Sequence, residues 1–187
     1  RQVFRPSTAW MTVDMMKGVI SNGTGSSAKI KGQTVAGKTG TNSDQRGVTF
    51  SCMTGWYASA IWVGHDNYKP LSSKSTGNGS AAPIWQSYMS KIHQAKNLSD
   101  RDIIEATPDQ LGIVSATTCA VSGQLATDAC RNDSMGYGTV TDYWYEPTVP
   151  TVYCQMHQSM TVCADTGMLA TEYCPNTTVK GVVVIPN

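Results

Sequence analysis

Apolar residues recur at helical spacing close to the start of the chain. Within "PSTAWMTVDMMKGVIS", three- and four-residue steps place one group of apolar side chains on a single helical face. The members of that face are Ala9, Val13, Met16 and Ile20. Pro6 and the residues after it are typical of a helix start, and Asn22-Gly23 is typical of a helix end. The pattern predicts a helix over roughly residues 7–20.

A second helical pattern occupies "SAAPIWQSYMSKIHQ". Ser80 is predicted to cap this helix, and Pro83 suits its first turn. An apolar stripe at helical spacing is expected to be buried against the rest of the fold. It consists of Ile84, Trp85, Tyr88, Met89 and Ile92.

Between the two helices, the pattern of apolar residues favours strands. "GQTVAGKTGT" predicts one strand, and "VTFSCMTGWYASAIWVGHDN" predicts two more, joined by a tight turn near Thr54-Gly55. Residues 1–95 are therefore expected to form a helix, three strands and a helix. The predicted fold class is α+β, with helices packed on an antiparallel sheet.

After Asn97 the chain changes character, first to a polar connection and then to a Cys-, Thr- and Tyr-rich segment. "CAVSGQLATDAC" (119–130) and "CADTGMLATEYC" (163–174) align without a gap at an offset of 44 residues, with seven of twelve positions identical. The repeat predicts a duplicated small unit. We expect two domains, 1–96 and 97–187, with the boundary between about residues 97 and 112.

The six cysteines of the chain suggest disulfide bonds. Because each copy of the repeat carries two cysteines at the same separation, Cys119–Cys130 and Cys163–Cys174 are the expected pairs. Two such bonds would stabilise a small, mainly β tail with little apolar content, and they imply an extracytoplasmic compartment. Cys52 lies in a strand and is expected to be a buried thiol, whereas Cys154 has no predicted partner.

Zinc is the alternative to disulfide bonding. Cys154 and His157, followed by Cys163 and Cys174, resemble a four-ligand set. The positions 44 residues before Cys154 and His157 are Gln110 and Ile113, so the first copy, aligned in this way, lacks half of the ligands. Disulfides are therefore preferred, and neither a metal site nor a cofactor is predicted.

The composition of the chain excludes some classes of function. The chain has 187 residues and a formal net charge of +1, with no basic block, so nucleic acid is not an expected partner. No apolar run has the ~18–20 residues of a membrane-spanning helix. The chain opens at Arg1-Gln2-Val3 without a signal-peptide pattern, which we expect of a cut inside a larger protein.

The strand "VAGKTGTNSD" carries the candidate chemistry. The ammonium of Lys38 can stabilise an anion, and the hydroxyls of Thr39 and Thr41 can bind a carboxylate. Gly40 lets a substrate backbone lie alongside as an added strand, and the Thr41 N–H can serve an oxyanion hole. Lys-Thr-Gly is one of three signatures of penicillin-recognising serine acyl-transfer enzymes. A Lys-Thr-Gly triplet on its own is also compatible with an ordinary polar end of a strand, without any catalytic role.

Further segments resemble the transpeptidase domain of class A penicillin-binding proteins, in the order in which that family has them. They are "STAWMTVDMMKGVISNGTG", "VAGKTGTNSD", "TGWYASAIWVGHDN" and "STGNGSAAPIWQSYM", which together span residues 1–95. The Cys-bounded repeats are similar to tails on clostridial-type members. Gly55 departs from the family, which usually has Pro there.

The resemblance implies a partial β-lactamase/transpeptidase-like fold and a part in peptidoglycan D,D-transpeptidation on the extracytoplasmic face of the membrane. The implied partners are a peptidoglycan stem peptide, β-lactams and the upstream part of the same domain. The family's Ser-x-x-Lys nucleophile and Ser-x-Asn motif are expected upstream of this chain. Ser26-Ser27-Ala28-Lys29 spells Ser-x-x-Lys but lies among glycines, so a loop is predicted. The alternative function is a non-catalytic fragment that binds wall polymer or a partner protein.

Overall fold

The computed structural model describes residues 2–184 and divides into two compact units, Arg1–Thr107 and Pro108–Asn187. The helices are α1 (Pro6–Ser21), α2 (Ala82–Ala95) and α3 (Asp128–Arg131). The strands are β1 (Ala36–Thr41), β2 (Gly47–Met53), β3 (Ala58–Gly64), β4 (Ile113–Cys119), β5 (Thr139–Tyr145), β6 (His157–Cys163) and β7 (Thr177–Val183).

The first unit is built on an antiparallel sheet in the order β1-β2-β3. The predicted sequence of helix, three strands and helix is confirmed, with α1 before the sheet and α2 after it. The turn predicted near Thr54-Gly55 joins β2 to β3, where the Thr54 N–H donates to the Tyr57 carbonyl at 2.8 Å. Fold class α+β is thus established for this unit.

The core of the first unit lies between the sheet and α2. Val48, Phe50 and Cys52 alternate along β2 and are buried, because successive strand residues point to opposite faces. Trp85 from α2 is fully buried, and its ring meets the Phe50 ring edge-on at a centroid distance of 5.7 Å. The Trp85 indole N–H donates to the Ser59 hydroxyl at 2.8 Å, so its polar atom is also satisfied.

Two details of the predicted second helix are wrong. Ser80 does not cap α2, because it lies in a π-helical turn (Gly77–Ala81) that precedes the helix. The capping hydroxyl belongs to Thr76, which accepts from the Gly79 N–H at 2.9 Å. Ile84 is 49% exposed, since α2 faces the sheet through Trp85 and its neighbours one turn on. None of the helices within residues 2–184 has the length and apolar content needed to span a lipid bilayer.

The polar connection that follows α2 is fixed to the first unit. The Asp100 carboxylate accepts from the Thr34 N–H at 2.6 Å and from the Thr34 hydroxyl at 3.1 Å. The Trp56 indole N–H donates to the Ser99 carbonyl at 2.9 Å. These bonds explain why the first unit continues to Thr107 before the second begins.

The second unit repeats one piece of structure twice. It contains two separate two-stranded antiparallel sheets, β4-β5 and β6-β7, and β6 begins and ends 44 residues after β4. The hydrogen bonds repeat at the same offset, since Ala126 N–H donates to the Thr117 carbonyl and Ala170 N–H to the Thr161 carbonyl, both at 3.0 Å. The sequence repeat therefore corresponds to a repeated hairpin-and-turn conformation.

The predicted disulfides Cys119–Cys130 and Cys163–Cys174 are wrong. All six cysteines lie among the described residues and all are free thiols. The sulfur atoms of Cys119 and Cys130 do not pair with each other because both turn toward a larger group of side chains that includes Cys154. The tail is mainly β, as expected, but it is not disulfide-bonded.

Truncating the buried indole at the sheet–helix contact tests this description of the core. We expect Trp85→Ala to lower the free energy of unfolding by about 3–5 kcal/mol, because it removes a fully buried ring and leaves a cavity. Trp62→Ala is the matched control, since Trp62 is 55% exposed, and it should cost much less. Urea unfolding of the 187-residue chain, followed by circular dichroism, measures both. Equal losses would contradict the packing described.

Candidate functional site

Lys38, Thr39, Gly40 and Thr41 form the second half of β1, at one edge of the three-stranded sheet. In the register with β2, Lys38 is opposite Ser51 and Thr41 is opposite Val48. Within the described residues β1 pairs along this side alone. Its other edge presents backbone N–H and C=O groups that an extended peptide can pair with.

Alternation along β1 divides the four side-chain positions between the two faces of the sheet. Thr39 and Thr41 share a face with Phe50 and Val48, the core residues opposite them, and Lys38 points to the other face. Lys38 is exposed, and its ammonium donates to the Thr39 carbonyl at 2.9 Å. A positive charge is thereby held against the backbone of the strand.

Both threonine hydroxyls already have one partner. Thr39 Oγ1 lies 2.8 Å from Thr24 Oγ1, and Thr41 Oγ1 accepts from the Gly77 N–H at 3.2 Å. A hydroxyl offers one donor and two acceptor positions, so Thr41 keeps its own O–H to give to a ligand. Thr24 was not anticipated as a neighbour of the strand. The signal for it is the Gly-Thr-Gly that ends the first helical segment.

Close backbone packing holds the strand in place. A Cβ at Gly40 would overlap the Thr49 hydroxyl oxygen. A Cβ at Gly77 would lie 2.7 Å from the Thr49 carbonyl and 2.8 Å from the Thr39 Cβ. The Gly77 loop therefore rests directly on β1 and β2, and it needs glycine to do so. Gly77 was not predicted as a site residue.

The Ser-x-x-Lys tetrapeptide does not have the arrangement of a nucleophile and its base. Ser26–Ala28 form a single short 3-10 turn, and the Lys29 ammonium donates to the Ser21 carbonyl at 2.9 Å. Serine and lysine are therefore not placed on one face of a continuing helix, which the chemistry requires.

The strand edge is an open surface. A cavity of about 550 Å³ lies elsewhere in the first unit, lined by Lys17, Lys29 and Lys31 among others, and residues 38–41 are not part of its lining.

A second group of chemically active side chains lies in the second unit. Cys119, Cys130, Cys154 and His157 are buried, and their sulfur and ring-nitrogen atoms all lie within 4.8 Å of one another. His157 Nδ1 is 3.3 Å from the Cys119 sulfur and 3.6 Å from the Cys154 sulfur. This set differs from the one considered from the sequence, which combined Cys154 and His157 with the second repeat.

The other ring nitrogen of His157 faces a buried carboxylate. His157 Nε2 lies 3.3 Å from Asp133 Oδ1, and both side chains are fully buried. Neither of these two atoms has an aligned hydrogen bond to a described residue. Asp133 Oδ2 accepts from the Tyr137 N–H at 2.7 Å, which fixes the carboxylate.

Cys52 and Cys154 differ in the acidity of their thiols. Burial raises the pKa of the Cys52 thiol to about 12, consistent with a core side chain. Burial also raises the pKa of Cys154, but hydrogen bonds, with that of Ser122 the largest, outweigh it and bring the pKa down to about 7. The Cys154 sulfur thus lies in surroundings that favour the thiolate.

Cys154 reaches the first repeat through a long-range backbone contact. Its N–H donates to the Leu125 carbonyl at 2.8 Å, and Tyr153 forms a parallel bridge with Leu125. The segment after β5 thus returns to the first hairpin. No signal in the sequence marks this return, because the bond depends on how the two segments meet in space.

Two family models match the chain. The model described as the penicillin-binding protein transpeptidase domain matches residues 1–89, and the model described as the penicillin-binding protein 1A C-terminal domain matches residues 110–159. The two matched ranges fall on either side of the division at Thr107.

Curated relatives match across both units. Penicillin-binding protein 1A of Clostridium perfringens is 29% identical over 85% of this chain and 18% of its own length, and that of Clostridium botulinum is 31% identical over 84% and 18%. The chain thus spans about a fifth of these relatives. The crystal structure of penicillin-binding protein 1A from Haemophilus influenzae shares the fold, with a TM-score of 0.61 and 21% identity over 79% of this chain and 21% of that one.

The contact between the Gly77 loop and β1 can be tested by adding one methyl group. We expect Gly77→Ala to lower the free energy of unfolding by about 1–3 kcal/mol, because the new Cβ overlaps backbone atoms of β2. Gly18→Ala, at an exposed helical position with no atom within 4 Å, should instead stabilise by about 0.5–1 kcal/mol. Urea unfolding compares the two. A neutral Gly77→Ala would refute the contact.

Proposed function

Because the chain belongs to the class A penicillin-binding proteins, where it matches a C-terminal part of the transpeptidase domain and the domain that follows, we propose that β1 is the substrate-binding strand of a serine-type peptidoglycan D,D-transpeptidase. The observation that carries the proposal is the edge of β1 that carries Lys38 and Thr41 and that no other strand of the described residues pairs with. In the proposed reaction an upstream serine attacks the penultimate D-Ala carbonyl of a stem peptide, and the terminal D-Ala leaves.

Lys38 supplies the positive charge in this proposal. The terminal carboxylate of the donor peptide and the developing oxyanion are both negative, and an exposed ammonium beside the strand stabilises each of them. The contact of Lys38 with the Thr39 carbonyl supports this role, because it holds the ammonium at the strand, and no carboxylate among residues 2–184 forms a salt bridge with it.

The two threonines orient the donor. Thr41 accepts from the Gly77 N–H and so directs its own proton away from that bond, where it is available to a carboxylate oxygen. Thr39, paired with Thr24, can donate in the same way when Thr24 gives the proton between them. The Thr41 N–H is proposed to help hold the oxyanion.

Gly40 has a steric part in the proposal. It carries no side chain at the point where a bound peptide would run alongside the strand, and its position against Thr49 leaves no room for one. An extended donor peptide can then add to the sheet edge through main-chain hydrogen bonds.

The partners follow from the same chemistry. They are the peptidoglycan stem peptide, β-lactams, which acylate the same serine as their ring opens, and the upstream part of the transpeptidase domain. The proposed location is the extracytoplasmic face of the membrane, where this substrate lies.

Removing the ammonium tests the role of the strand. In the intact parent enzyme, we expect Lys38→Ala to slow acylation by fluorescent penicillin by about 100- to 1,000-fold, because a preorganised positive charge is lost from the transition state. Lys91→Ala, which removes an exposed lysine from α2, is the matched control and should leave the rate unchanged. Similar rates for the wild type and the Lys38→Ala variant would reject the assignment.

The origin of the nucleophile can be tested with the 187-residue chain itself. We expect no covalent labelling by fluorescent penicillin, because Ser26 is not paired with Lys29 and the proposed serine lies upstream. Labelling that disappears in Ser26→Ala would show an internal nucleophile and overturn this part of the proposal. A silent chain that is nevertheless retained by purified peptidoglycan would indicate a binding role for the fragment.

A further inference from the structure

The second unit has almost no conventional hydrophobic core. The buried cluster that the structure shows there consists of Cys119, Ala126, Cys130 and Cys154, with Met156 packed against it. Its two sheets have only two strands each, and isolated two-stranded sheets are marginally stable in water. Small units of this kind require additional crosslinks, and the disulfides that could have provided them are absent among the described residues.

The four ligand-type side chains lie close to the spacing that a bound metal requires. In a tetrahedral zinc site the ligand atoms lie roughly 3.5–3.8 Å from one another, given Zn–S and Zn–N distances of about 2.3 and 2.1 Å. The distances from His157 Nδ1 to the Cys119 and Cys154 sulfurs are 3.3 and 3.6 Å, and no pair in the set exceeds 4.8 Å.

The surroundings of the cluster are those of a metal site. Histidine ligands commonly present their second ring nitrogen to a carboxylate, which fixes the ring and its tautomer. Asp133 occupies that position beside His157 Nε2, and both side chains are fully buried. A buried carboxylate oxygen without a hydrogen bond is costly, and Asp133 Oδ1 is such an atom; a metal at Nδ1 would polarise the Nε2–H toward it.

Backbone donors also point at the sulfurs. The Val121 and Ser122 N–H groups both donate to the Cys119 sulfur at 3.4 Å, and the Thr127 N–H donates to the Cys130 sulfur at 3.4 Å. N–H groups directed at sulfur stabilise its negative charge, as in metal-bound thiolates.

We propose that Cys119, Cys130, Cys154 and His157 bind one structural Zn²⁺ ion that holds the second unit together. The thiols release their protons to solvent as the metal binds, and His157 binds as the neutral ring. Three sulfurs and one imidazole nitrogen match the soft, tetrahedral preference of zinc and not the oxygen preference of calcium or magnesium. Four protein ligands complete the tetrahedron, so the site is closed and its role is structural.

The second copy of the repeat provides a control within the same chain. Cys163 and Cys174 reproduce the positions of Cys119 and Cys130, including a backbone donor, since the Thr171 N–H donates to the Cys174 sulfur at 3.3 Å. No described histidine or third cysteine joins them in a cluster. The pair of cysteines and its backbone donor are therefore repeated, whereas the further ligands are not.

The first experiment measures zinc in the 187-residue chain, purified under reducing conditions and dialysed against buffer with a known amount of Zn²⁺. We expect one zinc per chain by elemental analysis. Cys154→Ser and His157→Ala should lose most of it, whereas the double variant Cys163→Ser/Cys174→Ser should keep it. A chelator should lower the melting temperature of the wild type and of the double variant alike.

The second experiment separates metal binding from a general effect on folding. His157→Cys provides four thiolates and should retain one zinc, unlike His157→Ala. Asp133→Asn should weaken zinc by about 10- to 100-fold in a competition titration with a chromogenic chelator, because it removes the carboxylate behind the ligand. Cobalt substituted for zinc should give the visible absorption of a tetrahedral thiolate site, reduced in Cys130→Ser.

Several results would overturn the proposal. The first is that the wild-type chain binds no zinc after dialysis. The second is that Cys154→Ser and His157→Ala both keep their zinc. The third is that the Cys163→Ser/Cys174→Ser control loses as much zinc as these two variants. Peptide mapping that finds Cys119 bonded to Cys130 in the zinc-treated protein would overturn it as well, since a disulfide would consume two of the four ligands.

Discussion

Close packing of backbone against backbone on strand β1 is the constraint on which the first unit depends. β2 pairs along one edge of β1, and the Gly77 loop lies so close to Thr39 and Thr49 that no side-chain carbon fits between them. The remaining edge of β1 is then the part that can accept a new partner. This packing fixes the position of β1. Because side chains alternate between the two faces of a strand, it also determines the faces on which the Lys38 ammonium and the Thr41 hydroxyl lie.

The second unit is stabilised by different interactions from the first. The first unit buries large rings, such as Phe50 and Trp85, and its stability comes from apolar area removed from water. In the second unit the buried cluster consists of three cysteines and Ala126, and the contribution of those cysteines depends on what they bind. With the zinc site proposed above, the stability of the second unit would depend on metal and on oxidants as well as on temperature and denaturant.

The duplication separates what local interactions determine from what long-range interactions determine. Both copies share the hydrogen bonds of the turn that follows the first strand, because that conformation is determined by the residues of each copy, although helix α3 has no counterpart in the described part of the second copy. The cluster at Cys119 and Cys130 is completed by Cys154 and His157, which come from outside the first copy. A repeated sequence thus produced repeated secondary structure without a repeated site.

The amino-acid sequence by itself determined the two helices and three strands of the first unit and their order, because these follow from spacing along the chain, and it located Lys38–Thr41 in a strand. It did not determine that Ile84 is exposed or that Thr76 is the capping residue, since both depend on how α2 meets the sheet. The cysteine pairs were wrong for the same reason. Separation in sequence suggested that Cys119 bonds to Cys130, but the bond from Cys154 to Leu125 brings a third sulfur and His157 beside them. Only tertiary structure decides such groupings, because atoms distant along the chain come together by folding and not by spacing.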